Sequence, residues 1–407
     1  MKSMILGYGS TGKSIENYLL RQNISSYTIW DDYATDISPD KSESNLENID
    51  SGQYGSIYIS PGIPPDHKVI SHVYTNKLDI SIETDLDIYF KSLSHTDIPI
   101  IIGITGTNGK STCVELLKEI ILSTGVKVEA CGNVGHPILE CSTSKSDNDY
   151  LIVELSSFQL HYSKSLNLDI AAIVNISEDH IDWHGNRENY QKTKLSINKY
   201  LSKDNRTIVG QMPTDLIPDK DRSKYLFIDK VREEKNNISE DIQNVIIAIC
   251  EELKIERKYV DDVFNKKRVS EHRFDIFGQN NKLTFVNDSK ATNFSSVTKG
   301  LAKVERGLLI MHGDYKGVDE SFLEIHDGIH TVVFYGEPNL DYNFGDKKIY
   351  SINTFHELPS IIDSECDKGD TVILSPGGSS FEHFKDYRDR GLGFMKIISE
   401  NYLMEEK

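Results

Sequence analysis

Two glycine-rich stretches could each hold a phosphate. Gly7 to Ser14 reads GYGSTGKS and satisfies both GxGxxG, the turn of dinucleotide folds, and GxxxxGK[ST], the loop of nucleotide hydrolases. Gly103 to Thr112 reads GITGTNGKST and misses the second pattern by one inserted residue. Context separates them. The first loop leads to Asp31 and Asp32 at the end of the next apolar run, where a dinucleotide fold places an acid against a ribose or base. There Lys13 and Ser14 can be coincidental, and a tight turn with no ligand is the plainer alternative. In the second loop Lys110 can reach the β- and γ-phosphates of a triphosphate, and Ser111 or Thr112 can ligate Mg²⁺ at a helix N-terminus. Downstream, DYLIVELSSFQL puts Glu154 at the tip of an apolar strand, where an unpaired carboxylate is costly and a metal ion is the economical partner.

A third feature lies in NISEDHIDWHGNRENYQKTKLSINKYL. From about Arg187, helical spacing puts Tyr190, Lys194, Ile197 and Leu201 on one stripe roughly 60° wide, with Lys192 and Lys199 on the opposite face. Lys194 is therefore aimed inward, where desolvation favours a neutral, nucleophilic amine. Spacing alone slightly favours the alternative, an amine that snorkels to water at the helix edge. His180 and His184 have HxxxH spacing, but the HExxH glutamate is missing and Gly185 interrupts a helix, so zinc is not expected there. Cys113, just behind the second loop, reads as a buried helix thiol.

These residues need α/β elements to position them. Apolar runs MIL, YTIW and SIYIS alternate with a helical pattern at Ile15, Tyr18 and Leu19; IPIIIGIT, a helix with Val114, Leu117, Ile120 and Ile121, YLIVEL and IAAIVNI follow. After the charged stretch NKKRVSEHR a third block carries LTFVN, LLIMHG, TVVFYG and DTVILSPGG. The expected domains are 1–93, 94–268 and 269–407. Each strand ends in glycine or small polar residues, where open α/β sheets bind ligands. The segment from Gly210 to Ile238 has little motif and is expected to hold peripheral turns.

Composition narrows the function. The 407 residues carry 45 basic and 63 acidic side chains, net −18, which repels polyanions and argues against nucleic acid. Any phosphate must be held by local amides and a few cations. No apolar run is long enough to cross a bilayer, the first residues offer no secretory apolar core, and five cysteines without CxxC spacing fit a reducing cytoplasm. The charge favours a soluble monomer.

The motifs GITGTNGKST, GNVGHP, VELSSFQL, NISEDHIDWHG through KTKLSI, EHRF, NDSKATN and LSPGGSSFEHFKDYRDRG occur in this order across the whole chain. Together they resemble the Mur ligase family, and within it the members that add D-glutamate. The resemblance implies three α/β domains: a Rossmann-like N-terminal domain for a UDP-substrate, a central P-loop ATPase domain with a mostly parallel sheet, and a C-terminal dinucleotide-binding-like domain for the amino acid. It implies amide ligation: the carboxylate of UDP-N-acetylmuramoyl-L-alanine attacks the γ-phosphate of ATP, and the amine of D-glutamate displaces phosphate from the acyl phosphate. Mg²⁺, lysines and a helix N-terminus would neutralise charge, and domain closure would exclude water.

Carried over by position, Gly106, Thr107, Asn108, Gly109, Lys110, Ser111 and Thr112 would hold ATP, with Asn244, Arg273, Asp288 and Lys290 at ATP or the transferring phosphate. Ser111 or Thr112 and Glu154 would hold one Mg²⁺. His180 and Lys194 would serve a second, the lysine N-carboxylated. Ser10, Thr11, Asp31, Asp32, Ser60, Gly62, Asn133 and His180 would contact the UDP-substrate. Thr292, Lys316, Ser380, Phe381 and Tyr387 would form the D-glutamate pocket. One departure is Asp241, which stands where the family has an asparagine near adenine. Tyr387 also replaces an expected phenylalanine. A ligase for a different amino acid is the nearest rival. A nicotinamide oxidoreductase would leave the second loop and Glu154 unexplained, and a non-catalytic nucleotide binder would be expected to lack Lys110, Glu154 or Lys194.

Overall fold

The computed structural model describes residues 1–50, 52–93, 96–133, 135–201, 205–228, 238–266, 271–337 and 340–403. They form two compact units, residues 1–176 with 188–266, and residues 177–187 with 267–407. The boundaries expected at 93/94 and 268/269 fall on or beside residues outside this description.

The first unit holds two sheets. Strands β1 (Lys2–Leu6), β2 (Tyr27–Trp30), β3 (Tyr54–Ile59) and β4 (Ser81–Glu83) lie in the order β2-β1-β3-β4, all parallel. Strands β5 (Ile100–Thr105), β6 (Val128–Gly132), β7 (Tyr150–Glu154), β8 (Ile170–Asn175), β9 (Thr207–Gln211) and β10 (Tyr225–Phe227) are also all parallel, in the order β10-β9-β8-β5-β7-β6. Strand β5 is fully apolar except for its end, as a strand covered on both faces must be. It sits where the chain leaves first toward β6 and β7 and later toward β8, the crossing point at which such sheets bind ligands.

One apolar cluster runs from Ile5, Ile15, Leu19 and Ile29 through Leu86 and Tyr89 to Leu151, Val153 and Ile173, so the two sheets share a core. Polar contacts finish the joint. Asp87 caps the helix Asp85–Ser92 together with Thr84, and its other oxygen accepts from the Lys164 and Ser165 amides at 2.7 Å each.

The second unit carries β11 (Asp275–Gln279), β12 (Thr284–Asn287), β13 (Gly307–His312), β14 (Ile329–Tyr335), β15 (Lys348–Ile352) and β16 (Thr371–Gly377). Their order is β11-β12-β16-β13-β14-β15, with β11 alone antiparallel. The α/β class with three mostly parallel sheets is thus as expected. Correction comes at Gly210 to Ile238. Its described part holds more than turns, because Tyr225–Phe227 pairs with β9 as an edge strand after two short 3-10 turns.

Candidate active site

The second loop lies at the C-terminal end of β5 and opens directly into the helix Lys110–Ser123. Gly109 caps that helix at φ +80°, and a Cβ there would come within 2.8 Å of Ile242 Cδ1, so only glycine fits the turn. The loop is clamped from outside. The Asn108 N–H donates to Asn175 Oδ1 at 2.9 Å, the Asn175 amide returns a bond to Asn108 O at 3.1 Å, and the Thr107 N–H donates to Asn175 O. Asn175 in turn donates to Asp241 Oδ2 at 2.5 Å. Asp241, the departure from the family pattern, thereby holds the residue that holds the loop. Asn244 is buried one turn further along the same helix, Glu240–Glu252.

Two lysine side chains meet on one oxygen. Lys110 Nζ donates to Gly106 O at 2.8 Å and to Thr107 O at 2.9 Å, and Lys194 Nζ donates to the same Gly106 O at 2.8 Å. Lys194 is 2% exposed, which excludes the snorkelling alternative. Its neighbour Tyr190 is buried as well and pairs its hydroxyl with Thr107 Oγ1 at 2.9 Å. The stripe holds through Ile197, but the α-helix ends at Leu195 and continues as a 3-10 turn, Ser196–Tyr200, so Leu201 falls outside it. Lys192 and Lys199 are exposed.

Glu154 ends β7 and is 1% exposed. Its Oε1 accepts from Asn133 Nδ2 at 3.0 Å, and its Oε2 accepts no hydrogen bond from any described residue. A buried carboxylate oxygen left open in this way fits a divalent cation. Asn133, expected at the UDP-substrate, thus has its amide on Glu154, and its backbone N–H goes to Glu154 O. Ser111 and the buried Thr112 occupy the first helical turn, where a metal-bound phosphate would lie. Cys113 is fully buried, and desolvation pushes its thiol well above the ordinary range.

The first loop is shaped differently. Gly12 packs so tightly on β1 that a Cβ would lie 2.1 Å from Gly7 O. Ser60 Oγ donates to that same Gly7 O at 2.8 Å, and Ser10 and Thr11 begin the helix Ser10–Arg21. Asp31 is committed to backbone: Oδ2 accepts from the Tyr8 N–H at 2.6 Å, Oδ1 from Tyr33 and Ala34. Burial alone would raise its carboxyl, but these donors hold it below the usual range. Asp32 is ion-paired to Lys68 at 2.7 Å and hydrogen-bonded to Trp30 and His67. Lys13 points away, to Asp36. Gly62 faces open space.

In the second unit the loops after β12, β13 and β16 meet. Gly377 N–H donates to Ala291 O at 2.8 Å and Ser379 N–H to Asp314 O at 2.9 Å, which brings the segments of Thr292, Lys316 and Ser380 together. Lys316, expected at the substrate carboxylate, has its ammonium on Asp179 Oδ1 at 2.8 Å, and Asn293 donates to Asp179 Oδ2 at 3.0 Å. Burial opposes ionisation of Asp179, yet Lys316, His180 and these hydrogen bonds hold its carboxyl far below the usual range. His180, at φ +53°, lies 3.7 Å from the same Oδ1.

Asp288 is buried, accepts from the Phe274 N–H and Ser375 Oγ, and is raised to about 6 by burial, against the pull of Arg273. Lys290 stacks over Tyr387 at 5.1 Å. Ser380 is buried, whereas Phe381 is 77% exposed. Sequence reasoning missed Arg390. It is fully buried and ties Ser289, His312 and the carbonyls of Gly378 and Ser379 together, and burial lowers it to about 9.

Residues 104–244 match the Mur ligase middle domain. The UDP-N-acetylmuramoylalanine–D-glutamate ligase of Francisella philomiragia is 30% identical over 98% of this chain and 97% of its own length. That of Buchnera aphidicola subsp. Schizaphis graminum is also 30% identical, over 98% of each. Among solved structures, the MurF ligase of Thermotoga maritima in complex with ADP aligns with a TM-score of 0.56 at 15% identity, over 98% of this chain and 94% of that one. At that identity the likeness speaks for the fold.

Proposed function

This chain belongs to the Mur ligase family, as a relative of its D-glutamate-adding ligases, and from that premise we propose that it joins D-glutamate to UDP-N-acetylmuramoyl-L-alanine at the expense of ATP in peptidoglycan precursor synthesis. The observation that carries the chemistry is the pair of lysine side chains, Lys110 and Lys194, sharing Gly106 O on a clamped phosphate loop. The choice of amino acid rests on the named relatives.

The alanyl carboxylate attacks the γ-phosphorus, the β,γ-bridging bond breaks, and ADP leaves. The D-glutamate amine then attacks the acyl carbon, loses a proton, and phosphate departs. Lys110 and the amides of Gly106 to Thr112 hold the phosphates as negative charge migrates. Mg²⁺, when bound, would neutralise phosphate charge. Glu154 and Ser111 or Thr112 are its nearest candidate ligands, and the open Glu154 oxygen supports that assignment. His180 and Lys194 are the further metal candidates, the latter after its neutral amine adds CO₂ and releases a proton to become a carbamate. Ser10, Thr11, Ser60, Gly62 and Asn133 are assigned to the UDP-substrate, with Asp31 and Asp32 shaping that site through the bonds described. Asn244, Arg273, Asp288 and Lys290 are assigned to ATP and the transferring phosphate. Thr292, Lys316, Ser380, Phe381 and Tyr387 are assigned to D-glutamate, and the domain division 1–93, 94–268 and 269–407 follows these three tasks. No described helix is long and apolar enough to cross a membrane, in keeping with work on a soluble substrate in the cytoplasm, and we take the working form to be a monomer.

The test is phosphate release from ATP with UDP-N-acetylmuramoyl-L-alanine and Mg²⁺, offering each candidate amino acid in turn and weighing the product by mass. Release and coupling with D-glutamate alone is the expected result. Coupling of a different amino acid would overturn the pocket assignment and keep the mechanism, while no turnover with any would overturn the ligase reading.

A further inference from the structure

The end of edge strand β6 carries chemistry that ligation does not use. Glu129 on β6, His136 in the loop that follows and Cys141 just after the 3-10 turn Ile138–Glu140 converge. His136 Nε2 lies 2.9 Å from Glu129 Oε1 and 3.5 Å from Cys141 Sγ, and the three donor atoms all lie within 4.8 Å of one another. Cys141 is buried, while the Glu129 and His136 side chains are 22% and 38% exposed, so the cluster has a protected floor and an opening to water.

One neighbour orients it. Asn148 Nδ2 donates to Glu129 Oε2 at 2.7 Å, which fixes the carboxylate with Oε1 toward His136.

We propose that Glu129, His136 and Cys141 bind one divalent transition-metal ion, zinc by the chemistry of the set, with a fourth position left to water. A tetrahedral ion with Zn–S of about 2.3 Å and Zn–N of about 2.0 Å sets the S···N edge at about 3.5 Å. The observed separation already has that value. The N···O edge needs to be about 3.3 Å, so the Glu129–His136 contact opens by only a few tenths of an ångström when an ion replaces the shared proton. Thiolate and imidazole select zinc or its neighbours over Mg²⁺, so the cation of ligation does not compete here. The Asn148 bond to the carboxylate is the kind of outer contact that holds a metal ligand in place. Occupancy would tie His136 to β6.

The full-length protein, stripped of metal and free of nucleotide, is titrated with Zn²⁺ against a chromogenic chelator and separately with Co²⁺. The expected result is one ion per chain that excess Mg²⁺ does not displace, with a thiolate-to-cobalt charge-transfer band. Cys141→Ser should abolish that band and Cys366→Ser should keep it. His136→Ala, at a partly exposed side chain, should weaken Zn²⁺ binding at least about 10-fold. No band, a band that survives Cys141→Ser, or unchanged binding in His136→Ala would each overturn the site and leave a simple glutamate–histidine ion pair.

Discussion

Lys194 is where a single side chain decides most. Spacing could say that it faces inward, but not that it is 2% exposed or that it shares Gly106 O with Lys110. A buried amine at a phosphate loop is either a direct phosphate ligand or, once carboxylated, a metal ligand. The two roles separate in Lys194→Ala. Ligation should fall at least about 100-fold in either case, but added formate or acetate should partly restore it only if a carboxylate is what was lost. Unchanged turnover would remove Lys194 from the site altogether. The motif positions were legible as types: glycines, lysines and an acid at strand ends. Their supports were not. Asn175, Asp179, Asn293 and Arg390 are polar residues whose importance lies in what they touch across the fold, at separations of 66 to 137 residues along the chain for the bonds described from the first three, and a local pattern carries no such information. A signal was available for two of them, since Asn175 and Asp179 stand at and just beyond the end of an apolar strand.

At the scale of elements, central strands such as β1, β5, β8 and β13 were readable because burial on both faces makes them continuous apolar runs. Strands β4, β6, β10, β11 and β15 lie at sheet edges and are short or mixed, so their pairing comes from the neighbour rather than from their own residues. The joint between β1 and its helix makes a test. Gly12→Ala places a Cβ against Gly7 O and should cost about 1–3 kcal/mol or more, while Gly9→Ala, facing open space, should cost little. Urea midpoints of the two variants measure the difference, and equal midpoints would mean that the helix can shift freely. The helix Asp85–Ser92 supplies a second. Asp85 is buried, its Oδ1 accepts no hydrogen bond from any described residue, and burial raises its carboxyl to about 6 against the pull of the local N–H groups. A folded-state value above the unfolded one means that the neutral acid is the stabilising form. Its contribution is complete below about pH 4 and is lost as pH rises through about 6, a change of about 3 kcal/mol. Asp85→Asn should therefore gain on the wild type from about pH 4 to about pH 6 in urea unfolding and hold that gain above it. A gap that stays flat or narrows would show that a cation pairs with Asp85 in the folded chain.

At the scale of the whole molecule, the net charge of −18 and the proposed ligands have the same sign. ATP, the UDP-substrate and D-glutamate must approach a body that repels them, and only in the last few ångströms do Lys110, Lys194 and the loop amides reverse the field. The two ranges respond differently to salt. Screening shortens the Debye length from about 30 Å at 0.01 M to about 8 Å at 0.15 M, which removes the repulsion felt during approach. The buried Lys194 and the helix N-terminus act at contact distance, where screening is weak. With free Mg²⁺ held constant, kcat/KM for the UDP-substrate should therefore rise as NaCl increases across this range, and kcat should move little. A steady fall from the lowest salt would mean that the positive loops steer substrates from afar in spite of the total charge. Composition alone would then have misjudged the field that a ligand meets, because the sum of charges says nothing about which face of the molecule carries them.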